Sequence, residues 1–167
     1  MTGTLADILE KGLWTGEKGE NYLIATQSMI KADKLLFHGL GLQSELNLQA
    51  FEKEIKALGI TLEKMGVNEF GIYIPVVKDR LEEYLDYLEI SAKKLPEAFW
   101  GKHKEEQEYI LKIVFSVDRD YLNNFDPVIE KIRNYFRPVT DVSVIIDKRN
   151  NMRMNVTKDP LQIEGVY

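Results

Sequence analysis

Between Asp79 and Leu95 the apolar residues Leu81, Tyr84, Leu85, Leu88, Ala92 and Leu95 recur every three or four positions, with charges between them. That is the period of an α-helix with one buried face. Such a face needs another surface to cover it, so this stripe alone commits the chain to a packed core. Glu89 and Lys93 add a favourable i,i+4 pair on its outer side. Pro96 follows, and because proline disfavours helical geometry in the residue before it, the spacing predicts that the helix stops there. The stretch Glu97–Glu108 then reads as a loop or a short exposed helix whose only apolar residues in its first part are Ala98, Phe99 and Trp100.

The other elements are read in the same way. A weak helix is expected from Leu5 to about Lys11, capped by Thr4. A turn-rich stretch around Trp14 follows, punctuated by Gly12, Gly16 and Gly19. Tyr22–Thr26 and Lys34–His38 read as strands. Leu48, Phe51, Ile55 and Leu58 fall at helical spacing, with Gly59 as the expected C-terminal stop. Ile60–Met65 and Phe70–Val77 read as two strands joined by Gly66–Glu69 in an antiparallel hairpin, with Pro75 near an edge or bulge. Tyr109–Val117 is the strongest strand; Ile110 and Val114 make its second face partly apolar, so it is expected to be covered on both sides. Asp126-Pro127 reads as a capped helix start, Val128, Ile129, Ile132, Tyr135 and Phe136 as its apolar stripe, and Pro138 as its end. Val142–Ile146 and Met152–Val156 alternate around Lys148–Asn151 and predict a second hairpin.

Read in order, residues 34–117 give β-α-β-β-α-β, the order of a ferredoxin-like unit. The expected fold is therefore α+β: a mostly antiparallel sheet with helices on one face, extended by a C-terminal helix and hairpin. The 167 residues suit one domain spanning 1–167. Residues 1–20 would form its weak helix and turn-rich start, and 159–167 a tail.

Composition narrows the chemistry. There is no cysteine, which removes thiol catalysis, disulfide scaffolds and cysteine-ligated metal centres. Lys and Arg number 22 against 27 Asp and Glu, for a net charge of −5. That balance argues against binding driven mainly by phosphates, because such binding needs a basic surface. The start of the chain lacks the basic and apolar regions of a signal peptide. Apolar runs such as Ile72–Val77 fall far short of the ~18–20 residues a bilayer requires. A soluble cytoplasmic protein without membrane contact is expected.

Three constellations carry candidate chemistry. His38-Gly39-Leu40-Gly41-Leu42-Gln43-Ser44 lies between an expected strand and helix and partly resembles a dinucleotide loop, in which glycines let a phosphate approach backbone donors. Ser44 stands where the third glycine would be, and a hairpin is expected after the helix where a dinucleotide fold would need another crossover. An ordinary strand-to-helix turn is the plainer reading, leaving His38, Gly39, Gly41 and Ser44 as a weak ligand-binding set. Asp118 and Asp120, after the strongest strand, could hold a magnesium ion, or cap the turn before Tyr121. His38 and His103 share no ligand spacing, so no resident metal or cofactor is expected; His103 reads as solvated. Lys148, Arg149, Arg153 and Lys158 make the hairpin 147–158 locally basic, which suits either nucleic acid or protection of a sheet edge. Phe99 and Trp100 either cover the core or, with Arg149, Met152 and Met154, form a contact surface.

No hydrolase motif announces itself. The expectation is therefore a non-enzymatic interaction or escort module, self-associating as a homo-oligomer and open to a protein partner. Binding of a small ligand or nucleotide at the Gly39–Ser44 turn is the alternative, and nucleic-acid binding through 147–158 the next.

Overall fold

The computed structural model describes residues 5–27, 30–74, 81–106, 108–117, 125–140 and 143–144. Its elements are α1 (Leu5–Glu10), β1 (Asn21–Ala25), β2 (Lys34–His38), a 3-10 turn at Gln43–Glu45, α2 (Leu48–Lys64), β3 (Glu69–Tyr73), α3 (Leu81–His103), β4 (Lys112–Ser116) and α4 (Asp126–Phe136). The fold is α+β, with both antiparallel and parallel strand pairs. β1 pairs antiparallel with β2, Asn21 opposite His38. β3 pairs parallel with β4 across α3, Glu69 beside Lys112 and Tyr73 beside Ser116.

Two long helices form the centre. α2 begins at Asn47, whose side chain accepts a hydrogen bond from the Ala50 N–H at 2.9 Å and so satisfies one of the free donors at a helix start. It buries Phe51, Ile55, Leu58 and Leu62 along one stripe. α3 meets it with Tyr84, Tyr87, Leu88 and Leu95, and the Phe51 and Tyr87 rings lie 4.6 Å apart. α4 adds Val128, Ile129 and Phe136, and the inner faces of β3 and β4 supply Phe70, Ile72, Ile113 and Phe115.

Several expectations need correction. Gly59 does not end its helix, and Ile60–Met65 is no strand, since α2 runs on to Lys64. A Cβ on Gly59 would come within 3.0 Å of the Leu95 carbonyl oxygen. Glycine stands there because α2 and α3 nearly touch, not because the chain turns. With the strand at 60–65 gone, the 60–77 hairpin and the β-α-β-β-α-β order go too, and the described sheets are not mostly antiparallel. Pro96 likewise sits inside α3. An interior proline costs a helix about 3 kcal/mol, but extending past it buries Phe99, 1% exposed and stacked on Phe70 with centroids 6.0 Å apart. Burying a side chain of that size returns about 1.5–3 kcal/mol, and the helix turns beyond it add their own bonds. Asp126 is the first helical residue of α4, with Phe125 as the cap position and no side-chain cap; its charge instead faces the positive end of the helix. Among the described residues the second face of the expected 109–117 strand is open, for Val114 within β4 is 51% exposed and Ile110, which precedes it, 74%. The expected hairpin 142–156 lies outside the described residues apart from Ser143 and Val144. No described helix is long and apolar enough to cross a membrane.

Candidate functional site

β1 opens with Asn21 and β2 closes with His38, directly opposite one another. Opposed residues of an antiparallel pair project from the same face, so the two side chains meet. The Asn21 amide is oriented by its own bond, Nδ2 donating to the Gly19 carbonyl at 3.2 Å. Its Oδ1 therefore points at His38 Nδ1, 2.8 Å away. An amide oxygen only accepts, so Nδ1 carries the ring hydrogen and Nε2 presents a lone pair. That lone pair faces α2. There Glu54, three residues after Phe51, occupies the buried stripe, and its Oε2 lies 3.4 Å from Nε2. Nε2 is buried there, and the contact becomes an ion pair when the ring is protonated.

Both side chains are nearly out of water, 6% exposed for His38 and 10% for Glu54. Burial lowers the affinity of the ring for a second proton, and the Glu54 carboxylate raises it; burial prevails, so His38 titrates below its ordinary value of 6.5. Chemically this is an oriented neutral imidazole with a carboxylate beside its free nitrogen, and it takes a second proton less readily than an ordinary ring.

The glycines after His38 serve a different need. A Cβ on Gly39 would fall 2.0 Å from the Glu17 carbonyl oxygen and 2.6 Å from the Gly16 carbonyl carbon. The turn at 39–41 is laced to the loop at 16–20 by backbone bonds: Gly39 N–H to Glu20, Gly19 N–H to Gly39 and Gly41 N–H to Gly16, at 2.8–3.0 Å. The space next to Gly39 that a phosphate would need is filled by protein backbone. Ser44 lies apart in the 3-10 turn and borders a shallow open depression with Asn47, Gln49 and Glu83, which His38, Gly39 and Gly41 do not line. The strand-to-helix turn therefore brings His38 to Asn21 and Glu54, while Ser44 borders a depression that the other three residues of the predicted set do not line.

Phe99 belongs to the core, while Trp100 beside it is 43% exposed. The two do not form one surface pair. His103 is more than a solvated side chain: its ring stacks on Tyr109 at 3.9 Å and its Nδ1 lies 2.8 Å from Glu106. Asp118, Asp120, Arg149, Met152 and Met154, and with them the basic hairpin 147–158, lie outside the described residues. Among the described residues no three His, Asp or Glu side chains gather as a metal site would require. Glu54 is the functional candidate that sequence reasoning misses. Its signal is a carboxylate in the middle of an apolar helical stripe.

Residues 1–104 match the family model described as the cytosol aminopeptidase family, N-terminal domain. Two curated relatives, each named a probable cytosol aminopeptidase, align with part of the chain. The one from Halorhodospira halophila is 27% identical over 73 residues, 44% of this chain and 15% of the relative. The one from Geotalea uraniireducens is 31% identical over 85 residues, 51% of this chain and 17% of the relative. The aligned stretches thus span less than a fifth of the relatives' length. This match overturns the expectation of a non-enzymatic interaction or escort module, and gives no support to the expected protein binding and homodimer. The affinity is to peptidases.

Proposed function

The chain belongs to the cytosol aminopeptidase family by way of that family's N-terminal domain, and from that premise we propose that it works in the removal of N-terminal residues from peptides, as the N-terminal domain of an aminopeptidase. The observation that carries this reading is the family match, which covers α1 through α3 and hence both central helices. The buried groups of the matched region support a framework role within such an enzyme. His38 is bonded to Asn21 and closed off against Glu54, Gly39 is filled by the 16–17 backbone, and Glu54 is itself sealed in the α2 stripe. A peptide bond needs an open site with an activated nucleophile and a place for the developing oxyanion. In this reading the described residues of the matched region supply none of those groups, and the domain holds shape for the part of such an enzyme that cuts.

A graft tests it. In the Geotalea uraniireducens relative, the segment aligned with this chain is replaced by the corresponding residues of this chain, and release of p-nitroaniline from an aminoacyl p-nitroanilide is followed. The graft is expected to keep turnover near that of its parent, and deletion of the same segment to lose it. The 167-residue chain alone is expected to release nothing. A folded graft without activity, or turnover by the chain alone, overturns the reading.

A further inference from the structure

We propose that Glu20 is a clasp: its ionised carboxylate curls residues 15–20 into a strap across the 39–41 turn, and loss of that charge lets the strap lift. Four donors meet on one atom. Glu20 Oε2 accepts the N–H groups of Thr15 at 2.9 Å, Gly16 at 2.8 Å and Glu17 at 3.2 Å, and the Thr15 hydroxyl at 2.8 Å. Successive N–H groups converge where the backbone changes hand, and Gly16, at φ +77°, supplies the left-handed step. The same curl turns the Gly16 and Glu17 carbonyl groups toward Gly39, where they take up the room a Cβ would need. Hydrogen bonds to an ionised acceptor are roughly twice as strong as neutral ones, so the charge on Glu20 sets how firmly the strap stays curled.

The strap has other fastenings, and they depend on the curl. Gly19 donates to the Gly39 carbonyl, Gly39 to Glu20 and Gly41 to Gly16, so all three bonds start or end inside the 15–20 loop. Lys18 lies over Gly41, where a Cβ would fall 2.6 Å from its Cγ, and its ammonium pairs with Glu45 at 2.7 Å. The sign of the charge dependence follows from the geometry. Every partner of Oε2 is a donor, so a proton on the carboxyl removes the charge those donors stabilise. Neighbouring charges do not reverse this. Within the strap Lys18 is held by Glu45, and the exposed Glu17 carries a charge of the same sign as Glu20. On β2 and α2, His38 and Glu54 face each other at 3.4 Å. The Thr15 hydroxyl, together with the three N–H groups, outweighs burial and holds the Glu20 carboxyl below its ordinary 4.5. The clasp is therefore closed above pH 4.5 and gives way as pH falls through the folded value. The opening equilibrium grows by at most about tenfold per pH unit there.

The test is made on the full chain. In E20A, exchange of the Gly19 and Gly41 amides, followed by NMR and corrected for intrinsic rate, should quicken severalfold at pH 6.5 while amides at the α2–α3 contact hold steady. A methyl at position 39 then meets a strap that can move aside. The drop in melting midpoint caused by G39A in the wild type should therefore shrink to less than half in the E20A background, a coupling that independent sites do not show. E20Q, which keeps an acceptor and loses the charge, should fall between the wild type and E20A. In the wild type the same two amides should quicken between pH 5.5 and 3.5 by more than those of the α2–α3 contact, and in E20Q that excess should vanish. Unchanged exchange at Gly19 and Gly41 in E20A overturns the proposal, as does a full-sized G39A drop in that background. Should E20A fail to fold, the acid response decides: no excess at Gly19 and Gly41 in the wild type, or an excess that survives in E20Q, overturns it equally.

Discussion

The sharpest prediction concerns Gly39. In G39A the new methyl would sit 2.0 Å from the Glu17 carbonyl oxygen, 2.6 Å from the Gly16 carbonyl carbon and 2.7 Å from its oxygen, all of them backbone atoms. No side-chain rotation can relieve that, so the 16–20 loop or the 39–41 turn must move. Overpacking of this kind costs about 1–3 kcal/mol. Movement also breaks or bends at least one of the three backbone hydrogen bonds joining the two segments, each with a net worth of about 0.5–1.5 kcal/mol. Together these give a loss of about 2–4 kcal/mol. For a domain of this size each kcal/mol moves the melting midpoint by about 2–4 °C, so a drop of about 5–15 °C is expected. Gly101 serves as the matched control, since it lies inside α3 and a methyl added there would meet nothing within 4 Å. G101A should gain about 0.5–1 kcal/mol from helix propensity alone. Urea unfolding of both variants measures the difference, read from the midpoint at unchanged slope. A G39A protein within about 0.5 kcal/mol of the wild type would refute the reasoning, and would reopen Gly39 as a residue kept for a ligand.

Other outcomes follow from burial and charge. F99A should cost about 3–5 kcal/mol by leaving a cavity against Phe70, whereas W100A, at an exposed position, should stay within about 0.5 kcal/mol; equal losses in chemical denaturation would contradict the split between the two neighbours. S91A should be nearly neutral, because the buried hydroxyl donates to the Tyr87 carbonyl of its own helix at 2.8 Å and leaves no orphan donor behind; a loss like that of F99A would show the hydroxyl is needed. At Glu89 burial opposes ionisation, but hydrogen bonds from Lys131 and Lys93, at 2.8 and 2.6 Å, outweigh it and hold the carboxyl below its ordinary 4.5. Its contribution is thus present above that value and lost as pH falls through the folded one. E89Q should flatten part of the acid limb of a stability-against-pH curve, and an unchanged limb would count against the α3–α4 bridge.

The sequence is most legible where a signal repeats and least where one residue stands for it. The stripes of α2, α3 and α4 show in their spacing, as do β1 and β2 and the inner face of β4, because burial imposes a period. Gly59 and Pro96 mislead when each is weighed by its local preference. Their reasons lie elsewhere: the Leu95 carbonyl on the neighbouring helix and the burial of Phe99 against Phe70. Tertiary packing overrides propensity at both. The site follows the same pattern. His38 stands out at a strand end beside glycines, but its partner looks like one more charge on a helix. Only the docking of the hairpin on α2 turns Glu54 inward. Gly39 and Gly41 are legible as places of close approach, yet what approaches is backbone and not phosphate.

The parallel alignment of β3 and β4 sets the order in which this protein can assemble. Glu69 and Lys112 stand side by side although 43 positions separate them along the chain. Two strands running the same way cannot be joined by a tight turn, so their first mutual bond closes a ring of chain large enough to contain the whole of α3. The entropy of that closure falls due before any reward from pairing. The β1–β2 ribbon, by contrast, can zip from its own loop. Folding of this domain is therefore expected to be slowed by that closure, and to be helped by packing of α3 on α2, which brings β3 and β4 within reach.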